Sequence, residues 1–364
     1  MKSVNGKIWR NSASLILLSK RYRDFVSCRS GSVNYDVLLQ TRAVSASFPN
    51  SVVFPGGVAE PVDENVDWLH HLQSFGYTQN DFNAFHLANT PSTPIFQPDP
   101  IKRHISLRIT AIRETFEELG VLICSRTHKG KKTQLSADLI SDIDIKSWQK
   151  KVSSNPEELL NLCKEHKCYP DIWSLHFWSN WLSPVALPKR FDTAFFVAAL
   201  DNEIPQISNN SEVTDVKWSS PQEILEKNLR KELELYPPQA YELNRLIHFS
   251  DIDVLVKYAA ERSSSGCELI YPVVVEAKDG KIHVLPGDDL YPLNVNYKEG
   301  ANILHPEKTI LELRENCHML HRLEITSLKE FKTEFVFRNH HPPDHINMGD
   351  KIISVNSTLH KNVK

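Results

Sequence analysis

Residues 113–121 read Arg113-Glu114-Thr115-Phe116-Glu117-Glu118-Leu119-Gly120-Val121. On a helix, Glu114, Glu117 and Glu118 stand at i, i+3 and i+4, so their carboxylates share about 100° of arc. Ile109, Ile112, Phe116 and Leu119 fall on the opposite side at helical spacing, which predicts one buried face. Ser106 serves as the expected N-cap and Gly120 as the stop, giving a helix over about 106–119. Three adjacent anions repel by a few tenths of a kcal/mol per pair even when solvated, so folding alone gives no reason to gather them. A hard divalent cation does, because Mg²⁺ seeks oxygen ligands in octahedral array. Arg113 lies between the two faces, placed to orient a glutamate through a two-point pair. The competing reading is a solvated charged face. Average residue usage puts a string of this kind in roughly 10⁻⁴ to 10⁻³ of chains this long.

Upstream, Pro55-Gly56-Gly57 forces a turn with bare backbone, where a substrate can approach closely. Strand-like segments precede it at Ser12–Leu18, Tyr35–Gln40 and Val52–Phe54. A proline-rich stretch with one helical piece around Trp68–Phe75 separates the turn from the glutamate helix. Downstream come a polar helical stretch to about 170, aromatics at Trp173, Phe177, Trp178 and Trp181, and strands at Arg190–Leu200 and Val213–Trp218. Helical patterns cover 221–235 and 237–260, and a hairpin turns at Asp279-Gly280. The pattern is α/β.

The 364 residues carry 42 basic and 45 acidic side chains, a formal charge of −3. That balance argues against nucleic-acid binding by bulk electrostatics, and no apolar run approaches the roughly 20 residues of a membrane-spanning helix. Six scattered cysteines read as reduced intracellular thiols. Cys163 and Cys168 flank His166, but the spacing fits no zinc pattern and reads as ordinary helix residues. Residues 1–23 are basic and free of acids, as in a mitochondrial presequence; a first strand over Ser12–Ser19 is the preferred reading. Asn362-Val363-Lys364 is not a Ser-Lys-Leu type address.

The glutamate string resembles the second half of the Nudix box, Gly-x5-Glu-x7-Arg-Glu-U-x-Glu-Glu-x-Gly-U, where U is bulky and aliphatic. Thr115 stands at the first U. The first half matches Gly57 with Asp63 in place of glutamate, and 49 residues separate Asp63 from Arg113 instead of seven. Trp181-Leu182-Ser183-Pro184, Lys189-Arg190, Pro237-Pro238-Gln239 and Leu285-Pro286-Gly287-Asp288-Asp289 resemble segments of a coenzyme A diphosphatase branch. Phe54-Pro55-Gly56-Gly57 with Glu60 does so too, with Ala46 and Asn50 where that group's motif carries Arg and Gly.

The resemblance implies an α/β/α Nudix sandwich with a mixed sheet. Its domain would span 8–260 with insertions at about 64–104 and 125–185, and a C-terminal extension, 261–364, would pack on it and end in a mobile tail. It implies hydrolysis of coenzyme A or an acyl-CoA to 3′,5′-ADP and (acyl-)4′-phosphopantetheine, with Mg²⁺ or Mn²⁺ held by Glu114, Glu117 and Glu118. Glu212 is a candidate general base. Gly56, Gly57, Arg42 and Arg190 are candidates for binding substrate, with Lys102 and Arg103 further cations. The Trp173–Trp181 aromatics are core material or shelter for a pantetheine arm. A small-molecule substrate is expected rather than nucleic acid, and the family points to peroxisomes. Two alternatives stay open: a Nudix pyrophosphatase acting on NADH, another dinucleotide or capped RNA, and a non-catalytic Nudix-fold binding module.

Overall fold

The computed structural model describes residues 9–21, 33–43, 51–129, 135–201, 213–326 and 332–357. The apolar run near the start forms Arg10–Lys20 (β1), followed by Tyr35–Arg42 (β2), Val52–Val53 (β3) and Gly56–Val58 (β4). Next come Asp67–Ser74 (α1), Gln79–Asn83 (α2) and the glutamate helix Pro100–Leu119 (α3). Cys124–Ser125 (β5), Ile145–Ser154 (α4), Glu158–Glu165 (α5) and Tyr169–Pro170 (β6) lead into His176–Leu182 (β7), Phe191–Leu200 (β8) and Val213–Ser219 (β9). Pro221–Leu229 (α6), Pro237–Leu246 (α7), Ile252–Arg262 (α8) and Leu269–Ile270 (β10) complete the first layer system. Val273–Ala277 (β11), Gly280–Val284 (β12), Asn302–His305 (β13), Ile310–Glu315 (α9), Leu320–Thr326 (β14), Lys332–Arg338 (β15) and Lys351–Ser354 (β16) form the rest.

The first sheet runs β10-β7-β8-β1-β2-β3, with β4 also on β1 and β9 also on β2. It is mixed: β1 is parallel to β8 and antiparallel to β2 and β4. β1 is buried on both sides, so it reads as a continuous apolar run. Its alternation still sorts the two faces. Leu15 and Leu17 pack with Ile109, Ile112, Phe116 and Leu119 of α3. Ile16 and Leu18 pack with Tyr241 and Leu243 of α7 and Leu255 and Ala259 of α8. The result is the expected α/β/α sandwich. Burying each large apolar side chain of α3 is worth about 1.5–3 kcal/mol, several times the repulsion among its glutamates.

Three helix assignments differ from expectation. α3 begins at Pro100, because the Asp99 side chain accepts from the Lys102 amide and Pro100 suits the first turn. Ser106 is therefore interior, and its hydroxyl donates to the Arg103 carbonyl. The single helix expected over 237–260 is two, α7 and α8, since Asp251 accepts from the Asp253 and Val254 amides and starts a new helix. α6 stops at Leu229, short of 235. Gly120 does end α3, at φ 69°.

The second sheet has the order β13-β11-β12-β14-β15-β16. Leu323 of β14 and Phe335 and Phe337 of β15 share a core with Tyr241 of α7, which fastens this sheet to the first.

Candidate active site

α3 carries its three glutamates to the turn made by Pro55, Gly56 and Gly57. Gly56 donates its amide to Glu118 Oε2 at 3.0 Å, and Gln40 Nε2 donates to the same oxygen at 2.7 Å. Gly56 sits at φ 145°, and a Cβ there would meet the Ala13 carbonyl at 2.3 Å. At Gly57 a Cβ would fall 2.4 Å from the Glu114 carboxyl carbon. Both glycines are needed for the carboxylates to lie against bare backbone.

Arg113 is 1% exposed and its fork is fully used. Nε and Nη2 donate to the two Asp63 oxygens, each at 2.9 Å. Nη1 donates to Glu114 at 3.0 Å and to Glu117 at 2.9 Å, while Nη2 also reaches the Val58 carbonyl. Thr110 donates to Asp63 as well. Asp63, far from α3 in sequence, is thus the residue that locks Arg113 in place. Burial pushes the Glu114 carboxyl up to about 8; Arg113 opposes this, and the Glu118 and Glu117 charges add to it.

This donor set fits a divalent metal ion. Glu114, Glu117 and Glu118 line one cavity, and burial holds the Glu114 carboxyl back from ionising, a cost that a cation would offset.

The glutamates open onto a cavity of about 710 Å³, within the usual range for small-molecule sites. Gly56, Gly57, Arg42, Arg113, Glu114, Glu117 and Glu118 all line it. So does Arg10, which the sequence did not single out. The guanidinium groups of Arg10 and Arg42 make no ion pair or hydrogen bond among the described residues. Apolar side chains from several elements also line it: Trp181 and Leu182 of β7, Pro237 and Pro238 of α7, Leu285 just past β12, and Leu323 and Phe335 of the C-terminal sheet.

A family model described as NUDT19 Nudix domain matches residues 9–246, and one described as NUDT19 C-terminal domain matches 274–334. The chain belongs to the NUDT19 family of Nudix hydrolases. Among its relatives is the Acyl-coenzyme A diphosphatase NUDT19 of Xenopus laevis, 34% identical over 342 residues, covering 87% of this chain and 90% of the relative. The Homo sapiens protein of the same name is 34% identical over 333 residues, covering 86% and 88%. A crystal structure of a Nudix hydrolase from Alicyclobacillus acidocaldarius is similar at a TM-score of 0.49 and 21% identity, covering 69% of this chain and 96% of that one.

Other cations lie away from the NUDT19-family cavity. Arg190 is buried, donating to the carbonyls of Ser183 and Tyr297 and packing over Trp9, so its charge is spent on chain geometry. Arg103 pairs with Glu64, and Lys102 lies 3.9 Å from the same carboxylate. Glu212, Ala46 and Asn50 lie outside the described residues. The aromatic group divides: Trp173 stacks on Tyr77 at 3.5 Å in the core, whereas Trp181 reaches the cavity. Trp178 and Trp181 both donate to the buried Glu242, at 2.8 and 2.7 Å. His283, Leu285, Leu323 and Phe335 were missed because nothing local in their sequence marks a cavity wall.

Proposed function

We propose that this chain hydrolyses the diphosphate bond of coenzyme A and acyl-CoA, yielding 3′,5′-ADP and (acyl-)4′-phosphopantetheine, with Mg²⁺ or Mn²⁺ at the glutamates. The observation that carries this reading is one cavity lined by three carboxylates, two arginines unpaired among the described residues, and apolar side chains. A diphosphate flanked by a phosphorylated nucleoside and a long flexible arm needs all three. The names of the relatives, acyl-coenzyme A diphosphatases, point the same way.

Glu114, Glu117 and Glu118 would hold the ion, which when bound offsets diphosphate charge and acidifies a coordinated water. Arg113, fixed by Asp63, holds Glu114 and Glu117 at set positions, so little reorganisation is left for the reaction itself. Gln40 and the Gly56 amide do the same for Glu118. Arg10 and Arg42 supply fixed positive charge for phosphate oxygens. The apolar part of the lining lowers the local dielectric, which strengthens each of these interactions. In the reaction a water oxygen bonds to one phosphorus, the bridging P–O bond breaks, and the water proton passes to solvent or the leaving phosphate.

The test is incubation of the full chain and Mg²⁺ with coenzyme A, an acyl-CoA, NADH and capped RNA, followed by product separation. Release of 3′,5′-ADP from the first two, lost in Glu117→Gln, is expected. Faster cleavage of NADH or capped RNA would overturn the substrate; no turnover of any would overturn the reading as an enzyme.

A further inference from the structure

Cys124 is remote in the chain from Cys163 and Cys168, yet all three place their sulfurs within 4.8 Å of one another and are fully buried. Cys124 lies in β5, just past the end of α3, Cys163 in α5, and Cys168 immediately before β6, the partner of β5. The Cys168 amide donates to the Cys163 carbonyl at 3.0 Å, which holds those two together. Apolar packing needs at most one small thiol at such a point; three converging sulfurs are a donor set. Sulfurs on one tetrahedral zinc ion, with bonds of about 2.3 Å, stand about 3.8 Å apart, so contraction by about 1 Å would close the site.

His166, two residues before Cys168, turns its Nε2 toward Glu165 at 3.8 Å and stands outside the sulfur cluster, so the three sulfurs alone make up the donor set. Arg126 donates to the His166 carbonyl and to both Asp142 oxygens, which ties the chain just after β5 to the end of α5.

We propose that Cys124, Cys163 and Cys168 form a structural site for a zinc-class ion, separate from the carboxylate centre. Thiolates select soft ions and carboxylates hard ones, so the two sites would not compete for one metal. Bound there, the ion ties the insertion carrying α5 and β6 to the end of α3.

The full chain, purified without chelator in magnesium buffer, is expected to retain about one equivalent of zinc by mass spectrometry. After stripping, it should take up Cd²⁺ with a sulfur-to-cadmium charge-transfer band whose strength corresponds to three thiolates. Cys124→Ser and Cys168→Ser should each lower both signals at least about tenfold, with the circular dichroism unchanged. Wild-type protein with neither zinc nor band overturns the proposal, as does metal that survives both substitutions. Where a serine variant fails to fold, the wild-type band decides: three thiolates support the site and fewer refute it.

Discussion

Asp63 and Arg113, 50 positions apart, meet in a two-point ion pair at 2.9 Å per contact, both side chains 1% exposed. The segment between them holds two helices and a proline-rich turn, yet it leaves this contact intact. Removing one member strands the other without its main partner in a buried site. Asp63→Ala is expected to cost about 3–5 kcal/mol in urea unfolding, and to lower kcat at temperatures where the protein stays folded. An unchanged kcat with full stability would show that Arg113 needs no anchor.

Glu117→Gln keeps the shape of the side chain and removes its charge. With metal stabilisation worth several kcal/mol, kcat should fall by about 10²-fold or more, while the melting temperature holds or rises through relief of repulsion. Glu118→Gln should be less clean, because Glu118 also accepts from Gln40 and Gly56.

Gly57→Ala adds one methyl where the Glu114 carboxylate rests, 2.4 Å away. Activity should fall with only a modest change in melting temperature, and higher metal concentration should restore part of it. A variant that matches wild type at every Mg²⁺ concentration would exclude Glu114 from the metal site.

Arg10→Ala and Arg42→Ala each remove a charge-assisted contact worth about 1.5–3 kcal/mol, which is about 10- to 150-fold in KM. Comparing coenzyme A with its 3′-dephospho form sorts the two residues. The arginine that faces the 3′-phosphate loses its effect when that group is absent.

His321 donates Nδ1–H to the Pro286 carbonyl and accepts from the Tyr241 hydroxyl, and it stacks on His340 at 3.8 Å. Burial lowers both; His340 falls from 6.5 to about 4. Between those values the unfolded chain binds more protons than the folded one, so stability is lost as pH drops from about 6.5 toward 4. Thermal melts across that window should show it, and His340→Phe should flatten the profile.

The glutamate face and the glycine turn were legible because each is local: helical periodicity and backbone freedom are set within a few residues. Gly120 announced the end of α3 for the same reason. Ser106 misled, since the true start depended on Asp99 and Pro100, a stronger pair of signals one and a half turns earlier. Arg190 looked available because a sequence shows a cation's charge and not the carbonyls of Ser183 and Tyr297 that consume it. Asp63 was legible as a box position but not as the anchor of Arg113, and Arg10 and Phe335 escaped, because the fold brings in their partners across long stretches of chain.

The last sheet lends side chains to the cleft, so removing it would do more than shorten the protein. A chain cut before Val273 would keep Glu114, Glu117 and Glu118, yet it would bare Tyr241 and take His283, Leu323 and Phe335 from the cavity lining. Selectivity and the stability of the catalytic half are therefore tied to the same strands.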